Sequence, residues 1–164
     1  RALVCLTLFF SGFITLFGGL GAGKDGFGIT DRYELDNVGV AVKKVPADAR
    51  FAGYPFWGHP VLLQGRKMVL GYPGHLWTQG FDYSKTYDKL QALMQGAPNW
   101  KELAATLRAR YLFWGPEEKK NYPGSRRPWE QSAALVVSGD WGAIYDLETP
   151  RNKANSTPPS IQRQ

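Results

Sequence analysis

The sequence predicts an α/β fold: a small layered domain with a short, mostly parallel sheet, preceded by one transmembrane helix. Three observations predict it. Residues 2–23 form a 22-residue run with no charged side chain, bounded by Arg1 and Lys24. After it, stripes of apolar residues at helical spacing alternate with short apolar runs. One of those runs, Tyr111–Trp114, is apolar without a break and is closed by Gly115-Pro116, the pattern of a strand buried on both faces.

The elements follow in order. About 20 apolar residues in a helix span the ~30 Å hydrocarbon core of a bilayer. Residues 1–23 meet that length, and Thr7, Ser11 and Thr15 can return their hydroxyls to the helix backbone. A secretory signal peptide cleaved near Ala22 and a buried soluble helix are the other readings. Residues 29–35 are extended or lead into a helix whose face is Val38, Ala41, Val42 and Val45, ended by Pro46. Ala49–Tyr54 is a short strand, and Met68–Leu70 another, joined by a turn at Gln64–Lys67. Tyr83, Tyr87, Leu90 and Met94 make the stripe of a further helix, stopped by Gly96 and Pro98. Asn99 and Glu102 have capping-box spacing before a helix carrying Leu103, Ala104 and Leu107. Pro116-Glu117-Glu118 opens another helix, with Pro in the first turn and acids at the positive dipole end. Ala133–Val137 and Ala143–Leu147 are closing strands about a hairpin turn at Ser138–Gly142. The expected organisation is a membrane helix over 1–23, a domain over 24–150 and a disordered basic tail over 151–164.

Composition sets limits on function. The chain has 164 residues, with 20 Lys and Arg against 14 Asp and Glu. The tail from residue 151 holds three basic residues and no acid, so half of the net charge of +6 lies there. The remaining cations are scattered, which argues against nucleic acid. Aromatic residues make up 14% of the chain, more than a disordered segment would carry. One Cys excludes a disulfide framework and a thiolate zinc cage. Cys5 reads as an apolar packing residue. Position 1 is Arg, which makes a fragment or a processed chain the expectation.

Several motifs carry no chemistry. Gly18–Lys24 satisfies the first seven positions of a phosphate-binding loop, but Asp25 stands where Ser or Thr should reach Mg²⁺. His59, His75 and Asp82 are separated by 16 and 7 residues, which matches no local metal-ligand spacing. No metal or cofactor is expected. Each imidazole reads first as a cap on a backbone group in a tight loop, and second as a ligand-facing group. Glu117 and Glu118 are adjacent, and neighbours at i and i+1 on a helix do not face one another, so they are a poor acid/base pair. Asp140 and Asp146 flank Trp141 as turn and strand residues. Arg66, Lys67, His75, Trp77, Asp82 and Tyr83 bring two cations, an aromatic face and hydrogen-bonding groups into 18 residues. Such a set suits a phosphate or a sugar, with Arg as the fork and Trp as the flat face. The competing reading is an exposed turn and a core Trp.

Three ordered segments resemble a known family. "VPADARFAGYPFWGHPVLLQGRKMVLGYPGHLWTQGFDY" (Val45–Tyr83), "LRARYLFWGPEEK" (Leu107–Lys119) and "WGAIYDLE" (Trp141–Glu148) are similar to the C-terminal extracytoplasmic region of multi-pass membrane proteins. These look like integral-membrane glycosyltransferases of the protein-mannosyltransferase and aminoarabinose-transferase type, many of them uncharacterised. The resemblance covers roughly residues 36–148. It implies the last membrane helix followed by an extracytoplasmic domain over residues 24–164. The parent would transfer sugar from a lipid-phosphate donor such as a polyprenyl-phosphate sugar. The family's catalytic carboxylates lie in loops near N-terminal membrane helices, so the resemblance implies no catalytic residue in this chain. It carries over a substrate-facing surface of His59, Arg66, Lys67, His75, Trp77, Asp82 and Tyr83. Where relatives often read Thr-His-Gly, Thr78-Gln79-Gly80 stands here, which weakens a proton-transfer role at that position. Two alternatives stay open: a non-enzymatic binding or assembly module of a membrane protein, and a small secreted α/β protein released by signal cleavage.

Overall fold

The computed structural model describes residues 2–21 and 30–151, the side chains of residues 14–21 excepted. The expected tail beyond residue 151 and the Gly-rich exit over 22–24 lie outside them. The helices are α1 (Ala2–Gly21), α2 (Arg32–Ala41), α3 (Pro60–Leu63), α4 (Pro73–Thr78), α5 (Ser84–Met94), α6 (Trp100–Thr106), α7 (Pro116–Asn121) and α8 (Trp129–Ser132). The strands are β1 (Arg50–Ala52), β2 (Lys67–Met68), β3 (Tyr111–Trp114), β4 (Ala133–Gly139) and β5 (Gly142–Pro150).

The five strands form one sheet in the order β2-β1-β3-β5-β4. β1 runs parallel to both β2 and β3, while β5 pairs antiparallel with β3 and β4. The sheet is therefore mixed and mostly antiparallel, which corrects the expectation of a mostly parallel one. The physical reason lies in the closing hairpin. A loop of only Asp140 and Trp141 joins β4 to β5, and so tight a turn returns the chain antiparallel. β5 then continues to Pro150 and pairs with β3 along that strand's whole length.

Side chains on β1, β3 and β5 alternate between two cores, as a pleated strand requires. Phe51, Tyr111, Phe113 and Ile144 face Val38, Ala41 and Val42 of α2 and its 3₁₀ extension, and Val61 of α3. Ala52, Leu112, Trp114 and Tyr145 face Leu90, Leu93 and Met94 of α5, Trp100 and Ala104 of α6, and Trp129 of α8. The sheet is thus covered on both faces, and all four residues of β3 are buried. The face predicted for α2, Val38 with Ala41, Val42 and Val45, is the buried one. That helix starts earlier than the apolar stripe because Asp31 caps it, accepting from the Tyr33 N–H at 2.8 Å. Asn99 stands at the N-cap of α6 as the spacing predicts, but its side chain makes no cap hydrogen bond.

In α1 the Thr7 hydroxyl donates to the Leu3 carbonyl at 2.8 Å, so this polar group is satisfied within the helix. Leu3, Val4, Leu6, Leu8, Phe9, Phe10 and Phe13 are exposed, which covers every side of the described helix. The part of α1 with described side chains, residues 2–13, rises only about 18 Å along its axis. Among the described residues no helix is long and apolar enough to cross a membrane. The described residues therefore do not support the transmembrane helix expected over 1–23.

Candidate functional site

β1, β2 and β3 point the same way, so the sheet has an exit edge where they end and an entry edge where they start. The chain leaves β1 to form α3 on one face and β2 on one side. It reaches β3 on the other side through α4, α5 and α6, of which α5 and α6 lie on the opposite face. The exit edge between β1 and β3 is thus a topological switch point, the crevice where open α/β sheets bind ligands.

A carboxylate of the chain itself fills this crevice. Glu118 reaches back from the first turn of α7 and is fully buried. Its Oε1 accepts from the Tyr54 N–H at 2.8 Å and from His59 Nε2 at 3.0 Å. Its Oε2 accepts from the Gly115 N–H at 2.9 Å, the half of a capping box that an N3 Glu supplies. The Val61 N–H donates to His59 Nδ1 at 3.2 Å, so the imidazole proton lies on Nε2 and faces Glu118. Three donors therefore converge on one carboxylate, from the end of β1, the end of β3 and the start of α3. Gly53 is required beside them: a Cβ there would sit 2.9 Å from His59 Nε2 and 3.2 Å from Glu118 Oε1.

An imidazole oriented by a carboxylate is the arrangement of a general base, but such a base needs its second nitrogen free for substrate. Here that nitrogen is taken by Val61, and His59 is 1% exposed. The pair locks the exit edge. Glu34, in the first turn of α2, borders it: burial, then the negative charge of Glu118, push its carboxyl up to about 7. Among the described residues no group of three or more His, Cys, Asp or Glu side chains could hold a metal ion.

The residues predicted from sequence divide between the two edges. His59 lies in the interior as the N-cap of α3, the backbone-capping role read first for it. His75 and Trp77 are exposed on α4, with Trp77 at 73% and the His75 ring edge-on to Tyr72 at 5.2 Å. Asp82 accepts from the Ser84 N–H at 3.1 Å at the head of α5, and Tyr83 packs on the core with its ring against Tyr87. Arg66 spends its guanidinium on the chain, donating to the Val42 carbonyl at 2.6 Å and the Pro46 carbonyl at 3.1 Å. Lys67 opens β2 at the entry edge and borders a cleft of about 390 Å³. The fold therefore keeps His75 and Trp77 on one helix and sets Arg66 and Lys67 apart from them.

The exit edge has a second property. Tyr33, Trp57, Tyr72, Trp77 and Phe81 are all exposed by 38% or more. Tyr33 reaches Asp140 in the turn between β4 and β5, Trp57 follows β1, and Tyr72 follows β2 and leads into α4. Val40 near the end of α2 and Leu63 at the end of α3 are exposed to a similar degree, whereas no large apolar side chain between residues 82 and 151 is.

The sequence matches no protein family, no curated protein and no solved structure. The family resemblance of residues 36–148 rests on the three quoted segments alone.

Proposed function

We propose that the chain is the membrane-anchored end of an integral-membrane protein, carried by α1, with residues 24–164 on the extracytoplasmic side. The observation that supports this best is the aromatic exit edge. Thr30 and Asp31, where the chain enters the domain, lie at the edge that exposes Tyr33, Trp57 and Tyr72, and Trp77 and Phe81 are exposed on and just after α4, which follows Tyr72. Trp and Tyr favour the membrane–water interface, where an apolar ring and a polar tip are both accommodated. Residues 2–23, in which α1 lies, carry no charged side chain. The eight residues 22–29 reach at most about 29 Å, which bounds the distance between α1 and the exit edge.

The resemblance supplies the parent's activity in this proposal: sugar transfer from a lipid-phosphate donor, with this domain contributing surface rather than catalytic groups. His75 and Trp77 are the donor-facing pair of the predicted set, being exposed at the edge nearest the lipid. The filled switch point favours a second reading, a non-enzymatic binding or assembly module, because Glu118 occupies the crevice a substrate would use. The two are separated by measuring association of the full chain with phosphatidylcholine vesicles, with and without a polyprenyl-phosphate sugar. Tighter association in its presence, lost in Trp77→Ala and His75→Ala, supports the donor-facing reading. Equal association by all three proteins with both vesicles overturns it and leaves the assembly module.

A further inference from the structure

We propose that the entry edge of the sheet binds a phosphate-bearing anion in the cleft formed by Arg50, Lys67, Arg108 and Arg110. The cleft measures about 390 Å³, within the usual size of small-molecule sites. Strand register assembles it. Arg50 opens β1 and is paired with Lys67, which opens β2. Tyr111 opens β3 beside Phe51 and brings Arg110 and Arg108 to the same edge. Neighbouring strands lie about 4.8 Å apart, so the basic groups converge because three strands begin together.

The cations are not equally engaged. Arg110 lies 3.3 Å from Asp146 and 3.6 Å from Glu148, which compensate its charge. Arg50 donates one N–H to the Leu107 carbonyl at 3.4 Å, which keeps its guanidinium by the loop that carries Arg108. Among the described residues, Lys67 and Arg108 have neither a side-chain hydrogen bond nor an ion pair. Asp48 is the single carboxylate on the wall. A dianionic phosphate would take guanidinium forks from Arg50 and Arg108 and a point charge from Lys67.

The backbone at Arg108 gives independent support. Among the described residues, four helices end in the same motif, in which a left-handed residue donates to the carbonyl three before it and the next residue to the carbonyl five before itself. At α3, α4 and α5 the left-handed residue is Gly65, Gly80 and Gly96, with φ of 71°, 73° and 74°. At α6 it is Arg108, with φ 52°, while its N–H donates to Ala105 and the Ala109 N–H to Ala104. A side chain in that conformation is strained, and such strain is retained where the residue is needed. The other left-handed non-glycine residue among the described ones, Arg127, is tied to Glu130 at 2.9 Å and lies over the Trp114 ring. Arg108 has no such partner and lines both this cleft and the neighbouring one.

The phosphate has two sources, a soluble ion or a lipid headgroup. The cleft lies at the edge opposite the one where α2 begins, which favours the soluble source. The test is titration of inorganic pyrophosphate into the full chain in nonionic detergent, followed by calorimetry, with a parallel arm of phosphatidylcholine vesicles containing phosphatidic acid. Saturable binding to pyrophosphate is expected, weakened about tenfold or more in Arg108→Gly and Lys67→Ala. Arg108→Lys should retain most of it. Lys101→Ala should leave it unchanged, since Lys101 borders the neighbouring cleft and not this one. Arg108→Gly should at the same time raise the melting temperature by about 3 °C, because glycine relieves the strain. That combination, a more stable protein that binds less, separates a ligand role from a folding role. Saturable response only to the phosphatidic acid arm would assign the site to a headgroup at the cost of the soluble source. Equal binding by wild type and Arg108→Gly, or no saturation in either arm up to about 10 mM, overturns the site.

Discussion

Replacing Glu118 by Ala would strip the acceptor from three donors at once: the part-buried Tyr54 N–H and the buried His59 Nε2–H and Gly115 N–H. A buried donor left without a partner costs about 1–3 kcal/mol. Partial relaxation into the space left by the side chain lowers the sum, so the expected loss is about 4 kcal/mol. Against a domain stability of about 5–15 kcal/mol, that is a large fraction. In urea, with a slope near 2 kcal/mol per molar, the midpoint should fall by about 2 M. Glu118→Gln keeps one acceptor oxygen and turns an amide N–H toward the remaining donors, so about half the loss is expected. His59→Ala alone should cost less than Glu118→Ala, and adding it to Glu118→Ala should cost little more, because the two share one network. The assay is urea unfolding of the full chain in detergent, followed by near-ultraviolet circular dichroism. A loss under about 1 kcal/mol in Glu118→Ala would refute the reasoning, since water or rearranged backbone would then satisfy all three donors.

Two further outcomes follow from the same edge. Glu34 has its carboxyl raised from 4.5 to about 7 in the folded protein, so folding favours its protonated form. That contribution is fully present below pH 4.5 and is lost as the pH rises through 7. Glu34→Gln should therefore stabilise the protein at pH 8, by about 1–2 kcal/mol after allowance for solvent screening, and leave it unchanged near pH 4; equal effects at both would contradict this. Gly53→Ala should lower the urea midpoint by the equivalent of about 1–3 kcal/mol, because its Cβ would crowd His59 and Glu118 in a packed interior. A neutral result would mean that the lock is looser than the distances imply.

Local pattern made most of the elements legible. The faces of α2 and α5, the fully buried β3 and the β4–β5 hairpin all follow from spacing and turn residues. Such signals act within a dozen residues. They do not say which strand lies beside which, so the direction of β5 against β3 escaped the sequence. The same limit hid the lock at the exit edge. Gly115 and Glu118 have N-cap and N3 spacing, and that local signal could have assigned Glu118 its turn of helix. Its partner His59 lies 59 residues away, and only the switch point between β1 and β3 joins them. Arg66 shows the reverse. As a turn cation in a basic, aromatic segment it read as a ligand group, but the carbonyls of Val42 and Pro46, 24 and 20 residues earlier, take both of its terminal nitrogens. Arg108 carried a readable signal that the apolar pattern masked: a helix ended with no glycine where the three before it each had one.

The account turns on the exit edge facing lipid and the entry edge facing water. The direct measurement places a single fluorophore at either edge in the Cys5→Ser background, the chain having no other cysteine. Trp77→Cys marks the exit edge, and Asp48→Cys, on the wall of the basic cleft, marks the entry edge. The full chain is reconstituted in vesicles carrying lipids with a quencher near the headgroup. The account predicts strong quenching at position 77 and little at position 48. Equal quenching at the two positions, or stronger quenching at 48, would contradict it.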